Sequence, residues 1–162
     1  MSNLLQEIIE DDEDTQKDKY LIFSIDRQDY GIDIENVIEI ICIQPITEVP
    51  ELPDYIKGVI NLRGKIIPVM DIRLKLKKEA KKYDDRTCII IVEIKGICIG
   101  FIIDRVLEVA TIPEKDLSSL PKIKKNEDNS NKYIRNIAKV ENEVRLIIDC
   151  NKIIEDDEIE KF

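Results

Sequence analysis

The feature that most constrains the fold is a series of short apolar runs made of isoleucine and valine. The run Cys88-Ile89-Ile90-Ile91-Val92 is apolar at every position, so a strand formed there has two apolar faces. β-Branched side chains of this kind fit a pleated sheet better than a helix. A strand with two dry faces must lie between two layers, or in a barrel wall that presses against a second barrel. The sequence therefore predicts a mainly β fold.

Turn residues divide the apolar runs into hairpins. Asp26 to Asp29, Arg63-Gly64 and Lys95-Gly96 each separate two predicted strands. The predicted strands are 20–25, 30–32, 37–43, 58–62, 65–70, 87–94, 97–103, 104–111, 133–140 and 143–149. Helical turns are expected at 34–36, 72–76 and 151–154, and a polar loop at 122–132. Pro68 lies inside a predicted strand, which favours an edge or a bulge. Two groups of short strands predict two small barrels with a shared core, although no clean internal repeat is visible.

The charge pattern argues against nucleic acid as a partner. The net charge is −9, whereas binding to a phosphate backbone depends on clustered Lys and Arg. Much of the negative charge lies in two terminal runs, Glu10–Asp14 and Glu155–Glu158, which we interpret as solvated tails, with a docking role as the less favoured alternative. No apolar stretch approaches the ~20 residues of a membrane-spanning helix, and the N-terminus lacks the pattern of a secretory signal. We expect a cytoplasmic protein that does not insert into the membrane.

Residues suited to catalysis are scarce. The chain has no histidine, which is the usual base beside a Ser or Cys nucleophile, and no phosphate-binding glycine motif. The cysteines are far apart in the sequence and form no CxxC pair, so we expect small buried hydrophobes rather than metal ligands or disulfides. They are Cys42, Cys88, Cys98 and Cys150. The sequence thus predicts a binding protein and not an enzyme, with no cofactor and no metal.

The most informative segment runs from Ile56 to Arg73, with the sequence IKGVINLRGKIIPVMDIR. Glycines flank one strand of this segment and permit sharp changes of backbone direction. Asn61 and Arg63 alternate with apolar neighbours, so the polar pair and the apolar pair point to opposite faces. A guanidinium at a strand end can donate to the carbonyls or carboxylates of a partner. A local ion pair between Arg63 and an Asp or Glu is an equally good interpretation of the strand alone.

This segment closely resembles the core of the CheW family of bacterial chemotaxis coupling proteins, IKGVxNLRGxIxPVxDLR. Further family elements follow in order and with compatible spacing over about residues 19–155. They are Phe23-Ser24-Ile25, Tyr30-Gly31-Ile32-Asp33-Ile34, Val37 with Ile38-Glu39-Ile40, and Gly100-Phe101-Ile102-Ile103-Asp104-Arg105-Val106. The kinase CheA and the protein CheV contain a similar domain but add phosphotransfer, ATP-binding or receiver parts. The length of this chain favours the stand-alone coupler.

The resemblance implies two intertwined five-stranded SH3-like β-barrels that share a core, with a few short helices. The expected boundaries are a flexible acidic N-terminal tail at 1–16, a CheW-like domain of two barrel subdomains at 17–155, and a C-terminal tail at 156–162. The implied function is that of a chemotaxis adaptor. It would couple the cytoplasmic tips of chemoreceptors, the methyl-accepting chemotaxis proteins, to the histidine kinase CheA, and so support array assembly and kinase control.

The resemblance also implies two binding faces. A helical hairpin at the receptor tip would lie in a groove between the barrels, held by apolar anchors and polar rim contacts. The residues assigned to or near this receptor-binding face are Val37, Glu39, Lys57, Gly58, Asn61, Arg63, Gly100, Val106 and Val109. Core packing is an equally good interpretation of the valines. The regulatory domain of CheA would contact the other face in a head-to-tail manner that can close into rings. The residues assigned to kinase binding are Leu21, Ile34 and Val37.

Overall fold

The computed structural model describes residues 16–121 and 130–155. The acidic N-terminal tail predicted at 1–16, the polar loop predicted at 122–132 and the C-terminal tail predicted at 156–162 lie wholly or mostly outside the described residues. None of the helices in the described part of the chain has the length and apolar composition of a membrane span.

The described residues form strands and a few short helices, as the apolar runs predict. The strands are β1 Lys19–Ile25, β2 Gln28–Asp33, β3 Val37–Cys42, β4 Ile56–Leu62, β5 Lys65–Asp71, β6 Cys88–Ile94, β7 Ile97–Ile103, β8 Arg105–Thr111, β9 Leu117–Ser118, β10 Ile134–Val140 and β11 Glu143–Ile148. The helices are α1 Ile72–Lys75 and α2 Cys150–Glu155, with 3₁₀ turns at Ile34–Asn36, Glu114–Asp116 and Ser130–Tyr133. Only the two-residue strand β9 has no counterpart among the predicted strands.

Two sheets curl into two SH3-like barrels, which confirms the predicted fold class. The first, here called the terminal barrel, has the strand order β8-β1-β2-β11-β10-β9 and combines both ends of the described chain. The second, the middle barrel, has the order β3-β6-β7-β5-β4. Thr47, in the loop after β3, exchanges backbone hydrogen bonds of 2.9 Å with Val59 of β4, so the two edges of the middle sheet meet. The barrels are intertwined because the middle barrel is inserted between β2 and β8.

The core is divided into a part shared by the barrels and a part inside each barrel. On β6, Ile90 and Val92 face the shared core, whereas Ile89 and Ile91 pack inside the middle barrel. Likewise on β1, Leu21 and Phe23 belong to the shared core, whereas Tyr20 and Ile22 pack inside the terminal barrel. The two dry faces of the Cys88–Val92 run are therefore explained by a barrel wall that presses against a second barrel.

The two barrels are versions of one structural unit, although the sequence shows no clean internal repeat. In the terminal barrel Ile22 pairs with Gly31, and in the middle barrel Ile91 pairs with Gly100, each residue 69 positions later. The strands β2 and β11 run parallel in one barrel, as β5 and β7 do in the other. The equivalent strand orders are β8-β1-β2-β11-β10 and β3-β6-β7-β5-β4.

The second half of the unit repeats at a different spacing. The Asp71 N–H donates to the Tyr55 carbonyl at 2.7 Å, and the Asp149 N–H donates to the Tyr133 carbonyl at 2.8 Å, 78 positions later. A short α-helix follows each of these aspartates. The unit is circularly permuted between the barrels, because β1 and β2 come first in the chain whereas their equivalents β6 and β7 come last in the middle barrel. Because the two halves of the unit repeat at different spacings, no single offset along the sequence aligns the two barrels.

Pro68 was predicted to lie on an edge strand or at a bulge, and the structure corrects this: the β4–β5 register does shift, but between Ile56 and Gly58, opposite Met70 and Val69. β5 is an interior strand, between β7 and β4. Pro68 is opposite Val59, whose own N–H and carbonyl are used by Thr47, so this pair exchanges no hydrogen bonds across β4 and β5. On the other side the parallel pairing with β7 begins only at Val69. A residue without an N–H is tolerated there because neither neighbouring strand requires that donor.

Candidate functional site

The β4–β5 turn presents a guanidinium on the rim of the middle barrel. Arg63 and Gly64 both have positive φ values, of 50° and 86°, as expected at the two central residues of a tight hairpin turn. The side-chain oxygen of Asn61 accepts from the Gly64 N–H at 2.9 Å and fixes the turn from below. The local sequence thus holds Arg63 at the tip of the hairpin, with 69% of its side chain exposed.

Arg63 forms an ion pair with Glu39 of β3. The two residues come from opposite edges of the middle sheet, and the pair forms where the barrel closes. Without a partner protein, Arg63 thus forms an intramolecular ion pair with a glutamate, which is one of the two interpretations of the sequence. Because Arg63 is largely in water, the pair contributes at most about 1 kcal/mol of stability. A partner that offers a carboxylate or several carbonyls can replace Glu39 at little cost.

Gly58 has a structural role next to this rim. Its φ is +142°, and a Cβ added there would lie 2.0 Å from the carbonyl oxygen of Thr47. Only glycine allows the loop after β3 to approach β4 closely enough to close the barrel. Lys57 and Asn61 flank it on β4, half-buried and exposed respectively. Of the residues assigned to the receptor face, Glu39, Lys57, Gly58, Asn61 and Arg63 thus lie on β3, β4 and the turn that follows β4.

The remaining residues of the predicted receptor face do not join this rim. Val37 is buried in the shared core, and Val106 and Val109 of β8 pack against that core while half-buried. Gly100 lies inside the middle barrel, where an added Cβ would come within 2.7 Å of the Ile89 side chain. In the structure of the chain alone, the three valines therefore pack in or against the core, as one interpretation of the sequence expected.

The residues assigned to kinase binding are also in the core. Leu21 and Ile34 are each 1% exposed and belong to the shared core, together with Val37. In the 3₁₀ turn that follows β2, Ile34 is buried and its neighbour Glu35 is exposed. Their side chains are positioned to support that turn, and a contact between them and a kinase stays a prediction.

A buried arginine that the sequence analysis did not single out connects the two barrels. Arg73, in the first turn of α1, has only 6% of its side chain exposed. It donates to Asp26 in the β1–β2 turn of the terminal barrel at 2.6 Å, and it also pairs with Asp104 between β7 and β8. The Asp26 N–H in turn donates to Asp104 at 3.0 Å. We call Arg73, Asp26 and Asp104 the arginine clasp.

The clasp has a defined electrostatic consequence. The hydrogen bond from Arg73 holds the pKa of Asp26 below its ordinary value, because it stabilises the charged carboxylate. Asp71 caps α1 by accepting from the Arg73 N–H at 2.9 Å, and it also accepts from the Tyr83 hydroxyl at 2.7 Å. Burial and this hydrogen bond raise the pKa of Tyr83. The sequence signal available for the clasp was an arginine two residues after an aspartate that directly follows an apolar strand.

The cysteines differ from the expectation that all four are buried. Cys88 and Cys150 are buried, and burial raises the pKa of both thiols. Cys42, however, is exposed at the end of β3, and Cys98 is half-buried on β7. The apolar runs around them predicted strands correctly, but the last residue of an edge strand has too few neighbours to be covered.

Comparisons with known proteins agree with this architecture. The CheW-like domain family matches residues 19–158. The chemotaxis protein CheW of Bacillus subtilis is 36% identical over 139 residues, which cover 85% of this chain and 87% of that protein. The chemotaxis protein CheW of Thermotoga maritima is 33% identical over 138 residues, which cover 84% and 87%. The crystal structure of the scaffolding protein TtCheW from Thermoanaerobacter tengcongensis is similar with a TM-score of 0.77 and 36% identity, over 85% of this chain and 92% of that one.

Proposed function

The chain belongs to the CheW family of chemotaxis proteins, and from this premise we propose that it couples chemoreceptors to the histidine kinase CheA as an adaptor. In this role it binds the helical hairpin at the cytoplasmic tip of a receptor and the regulatory domain of the kinase. It acts in the cytoplasm at membrane-associated receptor arrays, and it carries out no chemistry of its own.

The observation that carries the proposal is the exposed Arg63 on the rim of the middle barrel. The turn geometry holds the residue outward, and its intramolecular partner Glu39 is a weakly bound surface carboxylate. A planar guanidinium makes two parallel hydrogen bonds to a carboxylate or to backbone carbonyls at a helix end. Arg63 therefore changes partner from Glu39 to the receptor tip, and Glu39 becomes available to a donor on the same helix.

The remaining residues of the receptor face have supporting roles in this proposal. Lys57 and Asn61 form the rim around Arg63, and Gly58 allows the loop at Thr47 to close behind it. In this proposal the receptor helix lies between β3 and β8. The position of β3 relative to β8 is set by packing of Gly100, Val37, Val106 and Val109. Apolar contact from the valines requires that the helix reaches the outer boundary of the shared core.

The kinase contact is proposed at the 3₁₀ turn Ile34–Asn36 and the hairpin before it. Leu21, Ile34 and Val37 hold the turn by packing beneath it, and exposed polar residues such as Glu35 present the surface. Signal transfer requires that the adaptor binds two receptor–kinase arrangements with unequal free energy, since only differential affinity shifts an equilibrium.

The decisive experiment measures both interactions of one set of variants by calorimetry. Arg63→Ala is expected to weaken binding to a receptor hairpin fragment by about 1–3 kcal/mol, because a polar anchor in the middle of an interface is lost. Binding to the regulatory domain of CheA is expected to remain unchanged. The matched control is Lys95→Ala, which also removes an exposed cation from an ion pair, with side-chain exposures of 64% for Lys95 and 59% for Glu155.

A complementary variant tests the kinase face. Glu35→Arg reverses an exposed charge on the 3₁₀ turn without disturbing the core, and is expected to weaken kinase binding while receptor binding is retained. Unchanged receptor affinity in Arg63→Ala would remove Arg63 from the receptor site. Failure of the unmodified chain to bind either partner would refute the adaptor role itself.

A further inference from the structure

Two cysteines that are distant in the sequence lie directly opposite each other in the middle barrel. Cys42 is the last residue of β3 and Cys88 is the first residue of β6, and the register of the antiparallel pair places them face to face. Both thiols are free. Residues opposite each other in a sheet project from the same face, and on this face the adjacent positions Ile40 and Ile90 belong to the shared core.

The hydrogen-bond pattern identifies the type of pair. The Ile43 N–H donates to the Thr87 carbonyl at 3.1 Å, so these two residues form a hydrogen-bonded pair. Because the two types of pair alternate along an antiparallel ladder, Cys42 and Cys88 form a non-hydrogen-bonded pair. In such pairs the Cα atoms are about 4.5 Å apart, which lies within the range of about 4.4–6.8 Å found for disulfides.

The environments of the two thiols are unequal. Cys42 is exposed at a sheet edge, whereas Cys88 is buried beside it. The Cys88 thiol donates to the Arg86 carbonyl at 3.3 Å. Burial is the main cause that raises the pKa of Cys88, and a charge on Cys42 is the next, which is consistent with the closeness of the two sulfurs. Both residues end their strands, and only the single hydrogen bond from Ile43 to Thr87 lies beyond them, so little of the ladder opposes the small approach of the Cβ atoms that a disulfide requires.

We propose that Cys42 and Cys88 are a redox-active pair, which a peroxide converts into a cross-strand disulfide and a thiol reductant reopens. The exposed Cys42 is the residue that meets the oxidant, and Cys88 is the resolving thiol. The product ties the edge strand β3, which carries Glu39, covalently to its neighbour β6.

The chemistry balances in two steps. The Cys42 thiolate attacks one oxygen of hydrogen peroxide and breaks the O–O bond, which gives a sulfenic acid and, after protonation of the leaving hydroxide, water. The sulfur of Cys88 then attacks the sulfenic sulfur, forms the S–S bond and loses its proton as the hydroxyl group leaves as a second water. In sum, two thiols are oxidised by two electrons and one peroxide is reduced to two waters.

The test uses the full chain at low concentration, treated with hydrogen peroxide and analysed by thiol titration and mass spectrometry. The expected result is the loss of two thiols and of two hydrogen masses per chain, with a cross-linked peptide that contains Cys42 and Cys88. Dithiothreitol is expected to restore both thiols. Cys98→Ser is the matched control, since Cys98 is opposite Glu93 on the ladder and has no cysteine partner, and this variant should form the disulfide as the unmodified chain does.

The Cys42→Ser variant decides between the alternatives. Because Cys42 is exposed, this change leaves the fold intact, and it should abolish formation of the intramolecular disulfide. The proposal is overturned if Cys42→Ser still loses two thiols within one chain, if Cys42 proceeds to the sulfinic acid while Cys88 stays reduced, or if the product is a dimer joined through Cys42.

Discussion

The two barrels place opposite charges at equivalent turns, and each turn contacts the short helix that belongs to the other barrel. Asp26 in the β1–β2 turn of the terminal barrel pairs with Arg73 of α1, whereas Lys95, 69 positions later in the middle barrel, pairs with Glu155 of α2 at 3.1 Å. The first contact is part of a three-residue cluster with a buried guanidinium, and the second is a single exposed pair. A repeated fold can therefore keep the position of an inter-barrel contact and change its chemistry and its strength.

The barrels also differ in charge at the hairpin that carries Arg63 in the middle barrel. The equivalent position in the terminal barrel, 78 residues later, is Glu141, and the equivalent of Glu39 is Glu108. Glu108 is instead within 3.5 Å of Arg145, which occupies the position of the buried Ile67. The exposed arginine–glutamate pair at this hairpin is thus a property of the middle barrel alone.

The largest expected effect tests whether the shared core is equally sensitive from both barrels. Ile34→Asp places an unpaired carboxylate at a position that is 1% exposed, and Ile103→Asp does so at the equivalent position, also 1% exposed. Each is expected to lower the free energy of unfolding by about 3–5 kcal/mol, because an uncompensated charge is buried. Urea denaturation measures both. A loss in only one of the variants would show that the two halves of the core are not equivalent. For the same reason, Ile34→Asp does not isolate a kinase contact.

A second comparison concerns the closure of the middle barrel. Gly58→Ala is expected to cost about 3 kcal/mol, since it combines an unfavourable φ with a collision against backbone. Gly64→Ala, with a positive φ but no atom within 4 Å of the added Cβ, is the matched control and should cost about 1 kcal/mol. The midpoint temperature of thermal unfolding distinguishes the two variants. Equal losses would mean that the approach of Thr47 to Gly58 is not required.

The third prediction compares the two helix–turn contacts. Arg73→Met is expected to cost about 2 kcal/mol, because the change removes charge-assisted hydrogen bonds to Asp104 and to Asp26. Lys95→Met removes only an exposed ion pair and should cost less than about 0.5 kcal/mol. Chemical denaturation at neutral pH measures the difference, and similar values for both variants would contradict the greater strength of the arginine clasp.

The clasp also predicts a pH dependence. The pKa of Asp26 is lower in the folded chain than its ordinary value of 3.8, so its contribution to stability is present above that pH and is lost as the pH falls through the folded value. The stability difference between the unmodified chain and Arg73→Met should therefore shrink below about pH 3.8. A difference that stays constant during acid titration would show that Asp26 is not stabilised by Arg73.

The smallest expected effect comes from transferring the exposed arginine to the other barrel. Glu141→Arg places an arginine at the position equivalent to Arg63 and should change the free energy of unfolding by about 0.5 kcal/mol or less, as exposed ion pairs usually do. Combined with Arg63→Ala, it is not expected to restore receptor binding, because the new guanidinium lies on the wrong barrel. Restored binding, measured by calorimetry, would show that either barrel can serve the receptor.

Much of the fold could be predicted from local features. The turns Asp26-Arg27, Arg63-Gly64 and Lys95-Gly96 all have positive φ values and join the strands that the apolar runs predicted. Asp71 caps α1 as its position after a strand suggested. These elements depend on residues close together in the sequence, so turn chemistry and a two-residue alternation are sufficient to identify them.

What the sequence by itself determined is the set of strands and turns, and the resemblance of motifs that indicates the family. Tertiary structure alone decided which apolar residues of the binding segments are covered, since Leu21, Ile34 and Val37 become buried only when the second barrel packs on the first. It also decided the partners of Arg63 and Arg73, which come from strands and turns 24 to 47 residues away in the sequence. The physical reason is that alternation along a strand assigns a side chain to one face or the other, whereas burial and ion pairing depend on what the folded chain brings against that face.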